Sequence, residues 1–248
     1  MVYLFYIEVG MKKKTKIIIL CVCALLAVGG IVAASIVLPR YIKDQKLKKL
    51  TEEYYNMKVA SFEKENPTLS GADVVFLGDS LTDGCDLNKY YPLYTTVNRG
   101  ISGDTTDGLF ARLKVSACDV DPKAVVLLIG VNDISRGVKP NELSDHYEKI
   151  ITGLKENLPD TIIVWCSMTA LGGKSAKYND TVIICNQKIK LLAEKHGCVF
   201  VDLFTPLCDV ETREIKEEYT VDGTHLTDAG YQVITREINN VLAEYRVK

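Results

Sequence analysis

The chain has 248 residues, with 30 basic and 32 acidic side chains and a formal net charge of −2. A charge so close to zero gives no reason to expect nucleic-acid binding, which a strongly basic surface would indicate. Of the eight cysteines, Cys21 and Cys23 lie in an apolar N-terminal run and the others are scattered. Because no Cys-x-x-Cys pair and no His–Cys cluster occurs, the sequence predicts no metal site.

The first distinct segment is an uncharged run over residues 17–38, which directly follows a lysine-rich stretch over residues 12–16. As a helix this run would be about 33 Å long, enough to cross the hydrocarbon core of a membrane. We therefore expect residues 1–16 in the cytoplasm, with Met11 as an alternative start, and residues 17–38 as a single transmembrane helix. The rest of the chain would lie outside the cytoplasm.

Two features leave this interpretation open. A cleaved signal peptide, which would give a secreted protein, is the alternative to a retained anchor. Basic residues also follow the run, so the positive-inside rule does not decide the orientation. These residues are Arg40, Lys43, Lys46, Lys48 and Lys49.

Residues 39–70 are rich in charge and are predicted to form a helical stalk. Leu47, Leu50, Tyr54 and Met57 recur at intervals of three and four residues, and such positions share one face of a helix. We expect this face to pack on the domain that follows, with a short dimerising coiled coil as the alternative. The sequence leaves the oligomeric state open.

Residues 71–248 alternate between apolar, β-branched runs and helical stretches. This alternation predicts an α/β domain, a three-layer α/β/α sandwich around a flavodoxin-like parallel sheet of about five strands. The residues that follow the strands of such a sheet meet at one edge, where sites form. The predicted strands cover residues 74–77, 94–97, 124–129, 161–165 and 198–201, and the predicted helices cover residues 105–116, 141–157, 176–196 and 228–246.

Two motifs bring a serine, an acid and a histidine to this edge. Ser80 follows the first strand, and Asp222 and His225 lie in one loop before the last helix. A serine hydroxyl becomes a nucleophile when a histidine takes its proton and an acid orients the histidine. We therefore predict Ser80 as the nucleophile, His225 as the base and Asp222 as the acid, with Asp228 as an alternative acid.

Two further motifs, Asn98-Arg99-Gly100 and Gly130-Val131-Asn132-Asp133, supply a backbone N–H and a side-chain amide. Such donors stabilise a developing oxyanion. With Ser80, Gly100, Asn132 and His225 in this order, the chain from residue 73 resembles the SGNH hydrolase family, also called GDSL esterases and lipases. The resemblance implies an SGNH fold and an oxyanion hole made by the N–H groups of Ser80 and Gly100 and the amide of Asn132. It implies no metal or organic cofactor.

Other polar residues near these motifs are predicted to be structural. We expect Asp79 and Asp133 to hydrogen-bond and position the loops, and Asp104 and Asp228 to cap helices. The remaining histidines of the chain, His146 and His196, lie within and at the end of predicted helices and are also expected to have no catalytic role.

The run over residues 98–106 is similar to the acetylhydrolase and acetylesterase branch of the family. The resemblance therefore implies a serine esterase for small acyl groups, foremost acetyl. The predicted export suggests a carbohydrate or cell-wall polymer as the substrate. A lysophospholipase or thioesterase, an acyltransferase that uses the same serine, and a non-catalytic surface binding module on this fold are the alternatives.

Overall fold

The computed structural model describes residues 12–69 and 71–247. The predictions for residues 1–11, including the alternative start at Met11, lie outside the described residues. The chain forms two units, residues 1–53 and residues 54–248. Helix α1, Lys13–Glu65, makes up the described part of the first unit and contributes its last turns to the second.

The predicted transmembrane helix over residues 17–38 finds no support. Among the residues that the structure describes, no helix is both long enough and apolar enough to span a membrane. Within the predicted segment, the side chains of residues 27–28, 31–33 and 36 lie outside the described residues.

The last turns of α1 pack on the domain through Tyr54 of the predicted face and through Phe62, which lies outside that face. Leu47, Leu50 and Met57 are each more than half exposed, whereas Phe62 is only 2% exposed. The Phe62 ring lies 4.4 Å from the guanidinium carbon of Arg99, a cation–π contact. The second unit begins at residue 54, inside the segment predicted as a stalk.

The core of the domain is a sheet of five parallel strands in the order β2-β1-β3-β4-β5. This order matches the flavodoxin-like arrangement, in which β2 lies on one side of β1 and the later strands follow in sequence on its other side. The three central strands are buried on both faces, as their continuous apolar runs predict. The strands are β1 Val74–Gly78, β2 Thr96–Gly100, β3 Ala124–Leu128, β4 Ile162–Cys166 and β5 Val199–Val201.

Helices cover both faces of the sheet, so the predicted three-layer sandwich is confirmed. One layer packs Leu109, Tyr147 and Ile189 against the sheet, and the other packs Leu87 and Ile238 on the opposite face. In chain order the helices after α1 are α2 Ser80–Asp83, α3 Leu87–Tyr90, α4 Thr106–Ala111, α5 Val131–Ser135, α6 Pro140–Asn157, α7 Asn179–Lys195, α8 Phe204–Leu207 and α9 Asp228–Glu244. Short 3-10 turns over residues 66–68, 173–178 and 217–219 and a π turn over residues 114–118 complete the described elements.

Candidate active site

Ser80 is the first residue of α2, directly beyond the carboxyl end of β1. The side chain of Asp79 caps this helix, because its Oδ1 accepts a hydrogen bond from the N–H of Leu81 at 3.1 Å. The N–H of Ser80 stands in the first turn, where a helix leaves its N–H groups without intrahelical partners. The turn thus exposes both the hydroxyl and the N–H of Ser80 at the sheet edge.

The loop that carries Asp222 and His225 is fixed by backbone contacts on both sides. Gly223 has a φ of +88°, a conformation that favours glycine. A side chain there would also overlap the backbone of Gly172, whose N–H donates to the carbonyl of Gly223 at 2.7 Å. On the other side, the hydroxyl of Thr220 donates to the carbonyl of His225 at 2.9 Å.

These two elements place the predicted nucleophile, base and acid in one continuous relay. His225 Nε2 lies 3.1 Å from Ser80 Oγ, and His225 Nδ1 lies 2.8 Å from Asp222 Oδ2. The other carboxylate oxygen of Asp222 accepts the N–H groups of Thr224 at 3.0 Å and His225 at 2.8 Å. This is the geometry that lets a histidine take a serine proton while an acid holds the ring.

The electrostatics of the loop favour an ionised acid. Partial burial acts to raise the pKa of Asp222, but the hydrogen bonds from the His225 side chain, the His225 N–H and the Thr224 N–H outweigh it. The pKa of Asp222 therefore lies below its ordinary value. A carboxylate that stays charged can stabilise the imidazolium that forms during proton transfer.

Asn132 reaches the site from α5, the helix that follows β3. Its Nδ2 donates one hydrogen to the carbonyl of Asp104 at 2.9 Å. The Oδ2 of Asp79 lies 3.5 Å from the same nitrogen, at the limit of a hydrogen bond. The amide is thus held by one strong bond to Asp104 and one long bond to Asp79.

The prediction that Gly100 supplies an oxyanion donor is not supported. The N–H of Gly100 already donates to the side-chain Oδ1 of Asn98 at 2.9 Å. A Cβ at Gly100 would overlap the backbone of Asp83, so this glycine allows the end of β2 to lie directly against α2. The structure therefore gives Gly100 a packing role.

The sequence analysis did not single out Gly103 as a candidate oxyanion donor. It has a φ of +78°, and within the described part of the chain its N–H donates to no hydrogen-bond partner. It lies between Ser102, which is bonded to Asp83 on α2, and Asp104, whose carbonyl accepts the Asn132 amide. The Ser-Gly-Asp-Thr turn in the sequence was the available signal, since glycine there permits the positive φ.

Behind the relay lies a buried polar network centred on Arg112. Its guanidinium donates to Asp104 Oδ2 at 2.8 Å, to the carbonyl of Arg99 at 2.8 Å and to the carbonyl of Gly78 at 3.0 Å. These bonds join the carboxyl ends of β1 and β2 to the loop that contains Gly103. The network therefore fixes the spacing of the loops that form the site.

Three buried carboxyl groups belong to the same region, and burial is the largest influence on each. It raises the pKa of Asp79 to about 7 and also raises the pKa values of Asp104 and Asp133. Asp133 accepts the hydroxyl of Thr106 at 2.5 Å and its N–H at 3.1 Å. Asp133 thus hydrogen-bonds to the start of α4, as the sequence analysis expects, whereas Asp79 bonds within its own turn.

Both predicted helix caps are wrong by one residue. Thr105 caps α4 and Thr227 caps α9, because each hydroxyl accepts the N–H three residues later. Asp104 instead forms a buried ion pair with Arg112. Asp228, the alternative acid, pairs with Lys89 and accepts the hydroxyl of Tyr90 at 2.6 Å. Through these contacts the Asp228 side chain lies against α3.

The other two histidines have partners of their own. His146 Nδ1 lies 2.9 Å from the hydroxyl of Thr106, and His196 Nε2 lies 2.8 Å from Glu148. Neither contact joins the relay. Across residues 12–69 and 71–247, no group of three or more His, Cys, Asp or Glu side chains is placed to hold a metal ion.

Comparison with known proteins places this geometry in a family. Residues 76–233 match the model of the GDSL-like lipase/acylhydrolase family. An acetylxylan esterase of Geobacillus stearothermophilus is 25% identical over 202 residues, which cover 67% of this chain and 92% of that protein.

Two solved structures share the fold. A Streptococcus pneumonia protein named for platelet activating factor matches with a TM-score of 0.76 at 28% identity, over 82% of this chain and 99% of that one. A GDSL-like lipase of Bacteroides thetaiotaomicron matches with a TM-score of 0.68 at 21% identity, over 75% of this chain and 98% of that one. The chain belongs to the GDSL-like lipase/acylhydrolase family, and it is a carboxylic ester hydrolase.

Proposed function

We propose that this protein removes small acyl groups, foremost acetyl, from a carbohydrate polymer by acyl transfer through Ser80. The observation that carries the proposal is the relay from Ser80 through His225 to Asp222, with distances of 3.1 Å and 2.8 Å. These two contacts support the roles of nucleophile, base and acid for the three side chains.

The reaction has two steps. His225 takes the proton of Ser80 as the serine oxygen attacks the ester carbonyl, and the same proton then passes to the departing alcohol. Water, activated by His225, next attacks the acyl-serine and releases the acid. Asp222 keeps the imidazole in the tautomer whose free nitrogen faces Ser80.

The negative oxygen of the intermediate needs donors on the side of the carbonyl away from His225. We assign this role to the N–H of Ser80, the N–H of Gly103 and the amide of Asn132. The assignment is supported by the pairing of the Gly100 N–H with Asn98 and by the open N–H of Gly103. Loss of one such donor typically costs about 3–4 kcal/mol of transition-state stabilisation.

A concave region near the relay supports a large polar alcohol. A groove of about 890 Å³ adjoins the acid, with Asp222 and Gly223 in its wall.

The groove is lined mainly by polar and charged groups, as the hydroxyls of a glycan would require. Its further lining residues include Asp209, Thr212, Glu214 and Thr220. The similarity to an acetylxylan esterase points to the same substrate class.

The test is a hydrolysis screen of the full chain against nitrophenyl esters of rising acyl length and against acetylated xylooligosaccharides. We expect the highest kcat/KM for acetyl esters, acetate release from the glycan, and labelling by a fluorophosphonate. Ser80→Ala should lose labelling and hydrolysis while keeping its circular dichroism spectrum. A preference for long acyl chains would favour a lipase, and equal labelling of both proteins would exclude Ser80 as the nucleophile.

We also propose that the domain acts outside the cytoplasm. The support is the lysine-led apolar run over residues 17–38, which suits an export signal. In whole bacterial cells an impermeant protease should remove the domain while cytoplasmic markers survive. Protection of the domain in intact cells would overturn this proposal.

A further inference from the structure

Asp83 lies one turn after Ser80 on α2 and accepts four hydrogen bonds. Its Oδ2 accepts the hydroxyl of Tyr54 at 2.7 Å, the N–H of Ser102 at 3.0 Å and the hydroxyl of Ser102 at 2.6 Å. Its Oδ1 accepts the ammonium of Lys58 at 2.9 Å. One carboxylate thus joins three segments: the serine helix, the loop after β2 and the last turns of α1.

The backbone of Asp83 meets the same loop. A Cβ on Gly100 would overlap the N and Cα atoms of Asp83, so β2 ends in direct contact with α2. Two residues further on, Ser102 is tied to the Asp83 carboxylate, and the next residue is Gly103 with its open N–H. The spacing between Ser80 and Gly103 therefore depends on what holds Asp83.

The partners from α1 keep the carboxylate charged. Burial acts to raise the pKa of Asp83, but the bonds from Ser102, Lys58 and Tyr54 outweigh it and place the pKa below its ordinary value. The Asp83 side chain is 10% exposed and the Lys58 side chain 23% exposed, so water screens this pair only in part. An ionised, largely buried acceptor holds its donors more strongly than a neutral one.

From these contacts we infer that Asp83 is a positioning residue, through which Tyr54 and Lys58 of α1 hold the nucleophile turn against the oxyanion loop. The inference rests on the proposed function of Ser80 and Gly103. It extends the active-site scaffold to residues 54–58, which precede the segment matched by the family model at residues 76–233. Asp83 acts through Ser80 and Gly103 and touches no substrate.

Adjacent tyrosines offer a matched test in the full chain. Tyr54→Phe removes the hydroxyl that bonds Asp83, and Tyr55→Phe removes one that donates to the carbonyl of Gly108 at 2.8 Å. A displacement of about 1 Å at a reacting group can cost about 10²-fold in rate, so we expect a loss of about tenfold in kcat for the partial loosening in Tyr54→Phe. KM for nitrophenyl acetate should stay unchanged, and the rate of fluorophosphonate labelling should fall with kcat.

Tyr55→Phe should keep the wild-type kcat, although both variants lose one hydroxyl bond and a comparable amount of thermal stability. Lys58→Met should repeat the loss in kcat, and Lys58→Arg, which keeps the charge, should recover most of it. Equal kcat for Tyr54→Phe and Tyr55→Phe would overturn the inference and would leave the esterase function standing.

Hydrogen exchange at the Ser102 amide separates failure of the inference from failure of the proposed function. Exchange should be faster in Asp83→Asn and Tyr54→Phe than in the wild type, whether or not any ester is hydrolysed. Unchanged exchange in both variants would overturn the positioning role of Asp83, and an inactive wild type with faster exchange in the variants would overturn the esterase function alone.

Discussion

The two halves of the active site differ in how they are exposed. The side chains of His225 and Asp222 are 48% and 52% exposed, whereas those of Asp104 and Arg112 are 3% and 1% exposed. In the proposed mechanism the exposed half transfers the proton, and the buried half fixes the distance between the loops. The residues proposed for proton transfer are therefore exposed to solvent, whereas the residues that set the geometry of the loops are buried.

This difference predicts opposite effects of substitution. An exposed ion pair contributes little to folding, about 0–1 kcal/mol, so changes in the Asp222–His225 loop should alter the rate and leave stability almost unchanged. Breaking a buried ion pair typically costs about 3–5 kcal/mol, because one charge is left without a partner. Substitutions in the network around Arg112 should therefore mainly lower the free energy of unfolding.

Removal of the base is expected to have the largest effect. His225→Ala should lower kcat by about 10⁶-fold, since the serine then has no proton acceptor. His196→Ala is the control, because its ring pairs with Glu148 away from the relay. Steady-state kinetics on nitrophenyl acetate measure both, and a strong loss in the control with normal activity in His225→Ala would reverse the assignment.

Substitution of the acid should have the next largest effect. Asp222→Asn should reduce kcat by about 10⁴-fold, because an amide can hold the wrong tautomer of the imidazole. Asp228→Asn separates the two candidate acids, since Asp228 pairs with Lys89 and Tyr90. We expect both variants to keep the wild-type melting temperature. A larger loss in Asp228→Asn would make Asp228 the acid.

Loss of one oxyanion donor should have a moderate effect. Asn132→Ala should lower kcat by about 10²–10³-fold with a smaller change in KM, because the amide meets a charge that exists only in the transition state. Asn157→Ala, at the end of α6, removes a surface amide that donates to the carbonyl of Gly153 and serves as the control. A rise in KM with unchanged kcat would assign Asn132 to substrate binding instead.

The last prediction has the smallest effect on kcat, because it concerns the stability of the buried half and its pH dependence. Burial raises the pKa of Asp79 to about 7, so the folded protein holds a proton that the unfolded chain releases near pH 4. Stability should therefore fall as the pH rises from about 4 to about 7, by up to about 4 kcal/mol from this group. Asp79→Asn keeps an oxygen that can accept the N–H of Leu81, but its side chain does not titrate. The variant should therefore lack this part of the loss of stability with rising pH.

Urea unfolding at pH 5 and pH 8 measures this difference. The gap between the two pH values should be smaller in Asp79→Asn than in the wild type. The same gap in both proteins would mean that Asp79 does not hold the proton.

The sequence predicted more of the exposed half of the site than of the buried half. Ser80, Asp222 and His225 carry chemistry in their side chains, and their motifs stand next to strands and helices that periodicity predicts. The structure does not support Gly100 as a donor, because the availability of a backbone N–H depends on its partners in the fold, here the Asn98 side chain. The contacts of Tyr54 and Lys58 with Asp83 were missed for the same reason, since nothing local in the sequence pairs them.

The strands were predicted within one or two residues, except for β2. This strand was placed too early, because its polar end in Asn98-Arg99-Gly100 does not have the pattern of a buried strand. The buried Arg99 is compensated by Phe62, Glu65 and Asn66 from outside the predicted domain. These contacts form only in the tertiary structure, so a local sequence pattern cannot predict them.

The serine and its base are separated by 145 positions along the chain. During synthesis from the N-terminus, β1 and the serine turn leave the ribosome long before the loop that carries His225. Closure of so long a segment is entropically costly and is made only when the last helix can pack on the sheet. Until the loop that carries His225 has emerged and packed, Ser80 has no proton acceptor, so in the proposed mechanism the serine becomes reactive only when this part of the fold forms.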